Sequence, residues 1–273
     1  MKVIVAGLGK TGTTALFAKL QAALPAETRC LFEPRTLPSD SAGLEHVLAK
    51  VLIGVGRTVD IDSFDGFDRK ILLTRDPRDT LVSRVLYDIY NEPALCADAA
   101  DVDAFVGLVR RKEADPASVS MGELIRMYDG VARRAIFPRA TQDPGVALEF
   151  QRSHPDYLCY RYDDLIRAEY GVIERFLGIT VTPGVASVPA ELRRVARAKS
   201  SGDWRHWLTP SDVELFRPHF APYLAANGYS DDWTLSAAPK IARAHASEYV
   251  LQLVGARRSE REIARSGAVT RHD

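Results

Sequence analysis

Lys2-Val3-Ile4-Val5-Ala6-Gly7-Leu8-Gly9-Lys10-Thr11-Gly12-Thr13-Thr14-Ala15-Leu16-Phe17 decides how this chain folds. Val3 to Ala6 is an unbroken apolar run, the pattern of a strand buried on both faces. Gly7, Gly9 and Gly12 interrupt it, and Leu16, Phe17, Leu20, Ala23 and Leu24 follow at helical spacing until Pro25. A strand, a glycine-rich turn and a helix together make an anion site. The first-turn amides lack carbonyl partners, and the helix dipole favours negative charge.

Two readings of the turn compete. Gly7-x-Gly9-x-x-Gly12 fits a dinucleotide-binding turn, and Glu33 falls where a ribose-binding acid belongs, about 20 residues on. A nucleoside-triphosphatase loop starting at Gly7 needs lysine at position 13, which is Thr13. The other reading takes Lys10-Thr11-Gly12-Thr13-Thr14 as the unit. It puts a lysine, a glycine and three hydroxyls around one phosphate-sized space, which suits a phosphosulfate. A dinucleotide turn has no need of the lysine.

Outward from the loop, strands alternate with helices. Arg29 to Glu33 reads as a second strand stopped by Pro34, and Lys70 to Thr74 as another buried strand. Val47 to Ile53 is open between strand and short helix. Asp76-Pro77 fits a helix start, with Leu81, Val82, Val85, Leu86 and Ile89 as its apolar face. Residues from Val102 to Arg134 read as mainly helical, Tyr157 to Tyr160 as a late strand, and Leu165 to Leu177 as a helix ended by Gly178. Thr209-Pro210-Ser211-Asp212 resembles a capping box opening a helix to about Ala226, and Ala237 to Ala264 reads as one more helix. The expected fold is α/β, a parallel central sheet flanked by helices with a C-terminal helical extension. The expected division is 1–235 for the main domain and 236–273 for the extension and tail.

Arg75-Asp76-Pro77-Arg78-Asp79-Thr80-Leu81-Val82-Ser83-Arg84 supplies a second anion site. Arg75 stands at the carboxyl end of a buried strand, where open α/β sheets bind ligands. Ser83 lies about two helical turns further on, away from Leu81, Val85 and Leu86. A guanidinium and a hydroxyl so placed grip one phosphate from two directions. The plainer alternative is that Arg75 pairs with Asp76 or Asp79.

With both segments in view, the chain resembles the 3'-phosphoadenosine 5'-phosphosulfate (PAPS)-dependent sulfotransferases, whose fold is P-loop NTPase-like. Lys10 to Thr14 is similar to their 5'-phosphosulfate loop, and Arg75 to Ser83 to their 3'-phosphate motif. Leu31-Phe32-Glu33-Pro34 and Arg75-Asp76-Pro77-Arg78 look most like the carbohydrate branch. Tyr160-Arg161-Tyr162-Asp163-Asp164-Leu165 resembles a Y-E-D-L segment, and Gly202-Asp203-Trp204-Arg205 a G-D-W segment. The likeness runs in order from about residue 2 to 230. The family often has R-K-G before G-D-W. Here Arg197-Ala198-Lys199 stands instead, leaving Arg197 or Lys199 to replace that contact. Many members stack adenine on a tryptophan after the threonine pair. Here that residue is Ala15, and Trp204 is the candidate substitute.

The resemblance implies transfer of a sulfuryl group from PAPS to a hydroxyl, with 3'-phosphoadenosine 5'-phosphate (PAP) as product and no metal required. The acceptor would be a small molecule or a glycan. Lys10 would stabilise the leaving phosphate, Thr13 and Thr14 would hold the 5'-phosphate, and Arg75 and Ser83 would anchor the 3'-phosphate. Glu33 is the expected base. His46, His154, His206 and His219 are alternatives, none in a matching position. A nucleoside-phosphate kinase-like enzyme, a dehydrogenase and a non-catalytic nucleotide-binding module remain the competing readings.

The 36 basic and 36 acidic residues cancel, so no global charge draws the chain to nucleic acid or anionic membrane, and an anion site must be local. Cys30, Cys96 and Cys159 are odd in number and widely spaced, which fits neither a disulfide framework nor a zinc site. No apolar run approaches the roughly 20 residues of a membrane span, and Met1-Lys2 leads straight into a strand without a signal-peptide pattern. A cytoplasmic setting is expected. The C-terminal helix is a candidate for packing on the domain or for joining two copies as a homodimer.

Overall fold

The computed structural model describes residues 1–182, 197 and 200–269. Strand β1 (Lys2–Leu8) leads into α1 (Thr13–Ala23), β2 (Arg29–Phe32), α2 (Ser39–Ala42), β3 (Val47–Ile53), β4 (Arg69–Thr74) and α3 (Pro77–Tyr87). Helices α4 (Pro93–Ala97), α5 (Ala99–Ala114), α6 (Met121–Val131) and α7 (Phe137–Ser153) follow. Then come β5 (Leu158–Arg161), α8 (Tyr162–Ile166), α9 (Gly171–Leu177), α10 (Pro210–Ala226) and α11 (Ser247–Val269).

The strands form one parallel sheet in the order β2-β3-β1-β4-β5. Val3, Ile4 and Val5 are all 0% exposed, as a strand covered on both faces requires. On one face Val3, Val5, Leu48, Ile71 and Leu73 pack with Leu16, Phe17 and Leu20 of α1 and Ile173 and Leu177 of α9. Val47 to Ile53, open in the sequence, is a strand paired along its length with β1. The chain leaves β1 toward β2 and β3 on one side and then returns to β4 on the other. This puts a topological switch point between β1 and β4, where such sheets bind ligands at their carboxyl ends.

The chain divides into two compact units: Met1–Thr80, Thr141–Arg193 and Ala221–Ser230 in the first, and Leu81–Ala140, Arg194–Phe220 and Asp231–Asp273 in the second. In the second unit, Asp212 opens α10 by accepting from the Thr209 amide and hydroxyl, both at 2.9 Å. The same buried carboxylate accepts from the amides of Met121 and Gly122 at the start of α6, again at 2.9 Å each. Lys112, fully buried, donates to the carbonyls of Pro116 (2.9 Å) and Val119. Desolvation pushes its pKa down to about 8.

Two expectations need correction. The helix expected over 165–177 is two short ones, α8 and α9, because Ala168 turns left-handed (φ 58). Gly178 (φ 68) does end α9 as expected. The helix expected from Ala237 begins only at Ser247, whose amide donates to Glu113 at 2.6 Å. Pro239, with no amide and a restricted predecessor, sits in the non-helical stretch before it. Helix α11 buries Tyr249, Val250, Leu253 and Val254, and packs within its unit against α4 and α5. On α3, Ser83 is 5% exposed, and Arg78, Asp79 and Arg84 are buried too.

Candidate phosphate-binding site

The loop after β1 is shaped by a few local constraints. The Thr11 amide and hydroxyl both donate to the Leu8 carbonyl, at 3.3 and 2.8 Å. Lys10 (φ 73) and Gly12 (φ 96) take left-handed backbone, and a Cβ on Gly12 would lie 2.5 Å from the Tyr162 ring. A Cβ on Gly7 would lie 2.7 Å from the Thr13 methyl and 2.9 Å from both the Leu73 carbonyl and the Thr11 hydroxyl, so the loop folds back over β1 only because this position is glycine.

The loop delivers the chain into α1 with its N-terminus bare. No side chain caps it, and its first turn holds no acid. The amides of Thr13 and Thr14 lie in the first turn of α1, where a helix leaves its amides without intrahelical partners and its dipole favours an anion. The three hydroxyls of the loop differ in their surroundings. Thr11 has given its hydroxyl proton and its amide to Leu8, and Thr13 is 3% exposed. Thr14 keeps partial exposure.

Arg75 follows the last residue of β4, the strand next to β1. Its Nη1 donates to the Lys10 carbonyl at 3.0 Å. Its guanidinium lies 4.2 Å from the centre of the Tyr162 ring, the ring that covers Gly12. The fully buried Tyr223 hydroxyl hydrogen-bonds the Arg75 main chain, and burial raises that phenol's pKa. Asp76, one of the two acids named as partners for Arg75, is engaged with Arg78. Its carboxylate accepts from Arg78 Nε and Nη2 at 2.9 and 2.7 Å and from the Arg78 amide at 2.9 Å, capping α3.

Glu33 is not on the strand beside the glycine loop. Strand β3 lies between β2 and β1, so β2 is two strand spacings, roughly 10 Å, from β1. The Glu33 backbone is left-handed (φ 53), its amide donates to the Lys50 carbonyl at 2.8 Å, and its carboxylate accepts from Lys50 Nζ. Lys50 was not singled out in the sequence. It stands inside Val47-Leu48-Ala49-Lys50-Val51, and nothing local marks it except a charge in an apolar run. Burial pushes its pKa down, and the Glu33 carboxylate pulls it part of the way back.

Of the remaining candidates, Arg197, Trp204 and His206 belong to the second unit and His154 to the first. Arg197 is 4% exposed, donating to Asp203 at 2.6 Å and to the His245 carbonyl at 3.2 Å. Trp204 is 1% exposed, against Trp233 at 5.8 Å and the Arg205 guanidinium at 4.5 Å, so its ring is core packing with no open face for a base. Lys199 lies outside the described residues. His154 stacks on Phe150 at 4.3 Å, and His206 accepts from the Lys240 amide at 3.2 Å. Among the described residues no group of three His, Cys, Asp or Glu side chains is placed to hold a metal ion. No helix among them is long and apolar enough to cross a membrane.

No family model matches this chain, and no curated protein sequence does. Among solved structures it is similar to mouse sulfotransferase SULT7A1 complexed with PAP, at 14% identity and a TM-score of 0.46, over 82% of this chain and 83% of that one. It is also similar to retinol dehydratase in complex with androsterone and the inactive cofactor PAP, at 13% identity and a TM-score of 0.45, over 86% and 82%.

Proposed function

We propose that this chain is a sulfotransferase that uses PAPS as donor and sulfates a hydroxyl on a carbohydrate or related small acceptor. The observation that carries the reading is the 3.0 Å hydrogen bond from Arg75 to the Lys10 carbonyl. It joins two cationic segments at the carboxyl ends of adjacent strands, beside a bare helix N-terminus. A nucleotide with a phosphate on each side of its ribose asks for two such grips. A dinucleotide turn has no use for the second. The preference for a carbohydrate acceptor comes from the resemblance of Leu31-Phe32-Glu33-Pro34.

In this reading the amides of Thr13 and Thr14 hold the 5'-phosphate at the positive end of α1. Lys10 neutralises charge gathering on the bridging oxygen, and Arg75 binds the 3'-phosphate. The motif's Ser83, further along α3, is carried by the resemblance alone. Bond changes follow in-line displacement. The acceptor oxygen forms a bond to sulfur, the bond from sulfur to the bridging oxygen breaks, and its electron pair leaves with the phosphate. Glu33 takes the acceptor proton.

The test is ligand-induced thermal stabilisation followed by transfer. PAP should raise the melting temperature while ATP and NAD do not. Mass spectrometry of acceptor pools incubated with PAPS should then show products heavier by one sulfuryl group. Stabilisation by ATP alone would favour a kinase-like phosphotransferase. Stabilisation by PAP with no product from any pool would favour a binding module.

A further inference from the structure

Lys50 is a charged residue in the middle of a buried strand, with its side chain 2% exposed. Its register opposite Val5 places it on the α1-covered face of the sheet, two residues after Leu48 in the core on that face. An ammonium there is costly unless it is paired. Its Nζ meets the Glu33 carboxylate and lies 4.3 Å from the centre of the Phe32 ring. The Lys50 carbonyl also receives the Glu33 amide, at 2.8 Å. One residue therefore holds Glu33 at both main chain and side chain.

Glu33 needs such a hold. It follows the last residue of an edge strand, its backbone is left-handed, and its side chain is 36% exposed. A glutamate in that position without a tether samples many rotamers in water. We infer that Lys50 is a positioning residue that fixes the Glu33 carboxylate on the α1 side of the sheet, against β3, the strand between β2 and the strand that feeds the Lys10 loop. The role of Glu33 as base rests on the sulfotransferase reading, whereas the tether does not.

Two charged groups act on Lys50: Glu33, which favours its ammonium, and Arg57 after β3, which opposes it. Removing the carboxylate must therefore make Lys50 easier to deprotonate. Lysine carbon NMR titration of the wild type and of Glu33→Gln reads this without any acceptor. The Lys50 signal should titrate at lower pH than the surface lysines, and lower again in Glu33→Gln. A Lys50 signal that titrates identically in both proteins would overturn the tether.

The kinetic arm compares Lys50→Met and Lys50→Arg. An apolar residue of similar length in place of a buried ammonium should fold, and PAP stabilisation checks the nucleotide site. Lys50→Met should lower kcat on the order of 10- to 100-fold, because a displaced catalytic group costs that much. KM for PAPS should stay within about twofold, and the acid limb of the pH–rate profile should move. Lys50→Arg should restore both. A Lys50→Met enzyme with wild-type kcat and pH profile would overturn the proposal. If the lysine titration responds but no protein transfers sulfate, the tether stands and the sulfotransferase reading falls.

Discussion

The Arg75 guanidinium donates to the Lys10 main chain, so the two cationic segments that the sequence holds 65 residues apart are one structural unit. Tyr162 stacks on Arg75 and covers Gly12, and the Tyr223 hydroxyl meets the Arg75 main chain. A disturbance at either segment should reach the other.

Arg75→Met is expected to remove recognition of the 3'-phosphate. The wild type should be stabilised more by PAP than by AMP, which lacks that phosphate. The variant should respond to the two alike, having lost on the order of 10- to 100-fold in PAP affinity, the worth of a charged hydrogen bond. Calorimetric titration with both nucleotides measures it. A variant that still prefers PAP would remove Arg75 from the 3' site.

Lys10 calls for a substitution that removes only its charge, because its left-handed backbone already carries a side chain there and the loop is shaped around it. Lys10→Met keeps the side-chain length and should lower turnover by about 100-fold or more, the usual loss of one preorganised charge-stabilising group. PAP binding should weaken far less. Equal losses in both would mean that Lys10 binds the ground state and does not act on the leaving oxygen.

Gly12→Ala should destabilise the protein by about 3 kcal/mol, through strain at φ 96 and a clash with the Tyr162 ring. The double variant with Tyr162→Ala should be less than additive, because the clash is gone once the ring is removed. Urea unfolding of the four proteins of the cycle gives the coupling. Strict additivity would mean that the ring does not press on Gly12.

Lys112 sets an alkaline signature. Its folded pKa is about 8 against an ordinary 10.5, so between those values the unfolded chain binds more protons and stability contributed at this site rises with pH. Wild type should therefore gain on Lys112→Met as pH climbs from about 8 to 10, by on the order of 1–3 kcal/mol. Parallel melting curves across that range would place the lysine in a more solvated setting than its burial implies.

The loop was legible because every part of it is local. Val3 to Ala6, the glycines and the spacing of Leu16, Phe17 and Leu20 lie within one strand–turn–helix. The Asp76-Pro77 helix start and the Thr209–Asp212 cap were legible for the same reason. What failed was either a three-dimensional partnership or the start of an element. Lys50 and Glu33 meet only when β2 pairs with β3, and nothing in either segment announces the other. The Thr11 hydroxyl looked available until the turn closed on Leu8. The helix drawn from Ala237 followed composition alone, and the stretch holding Pro239 delayed it to Ser247.

Asp212 holds the openings of two helices whose first residues are about ninety positions apart. As the chain leaves the ribosome, α6 emerges with its leading amides hydrated and waits for a carboxylate that has not yet been made. The second unit therefore cannot lock its helices in the order of their synthesis. Until Asp212 is made, α6 has its local Ser120–Glu123 capping box, while the Met121 and Gly122 amides still lack the carboxylate that joins them to α10.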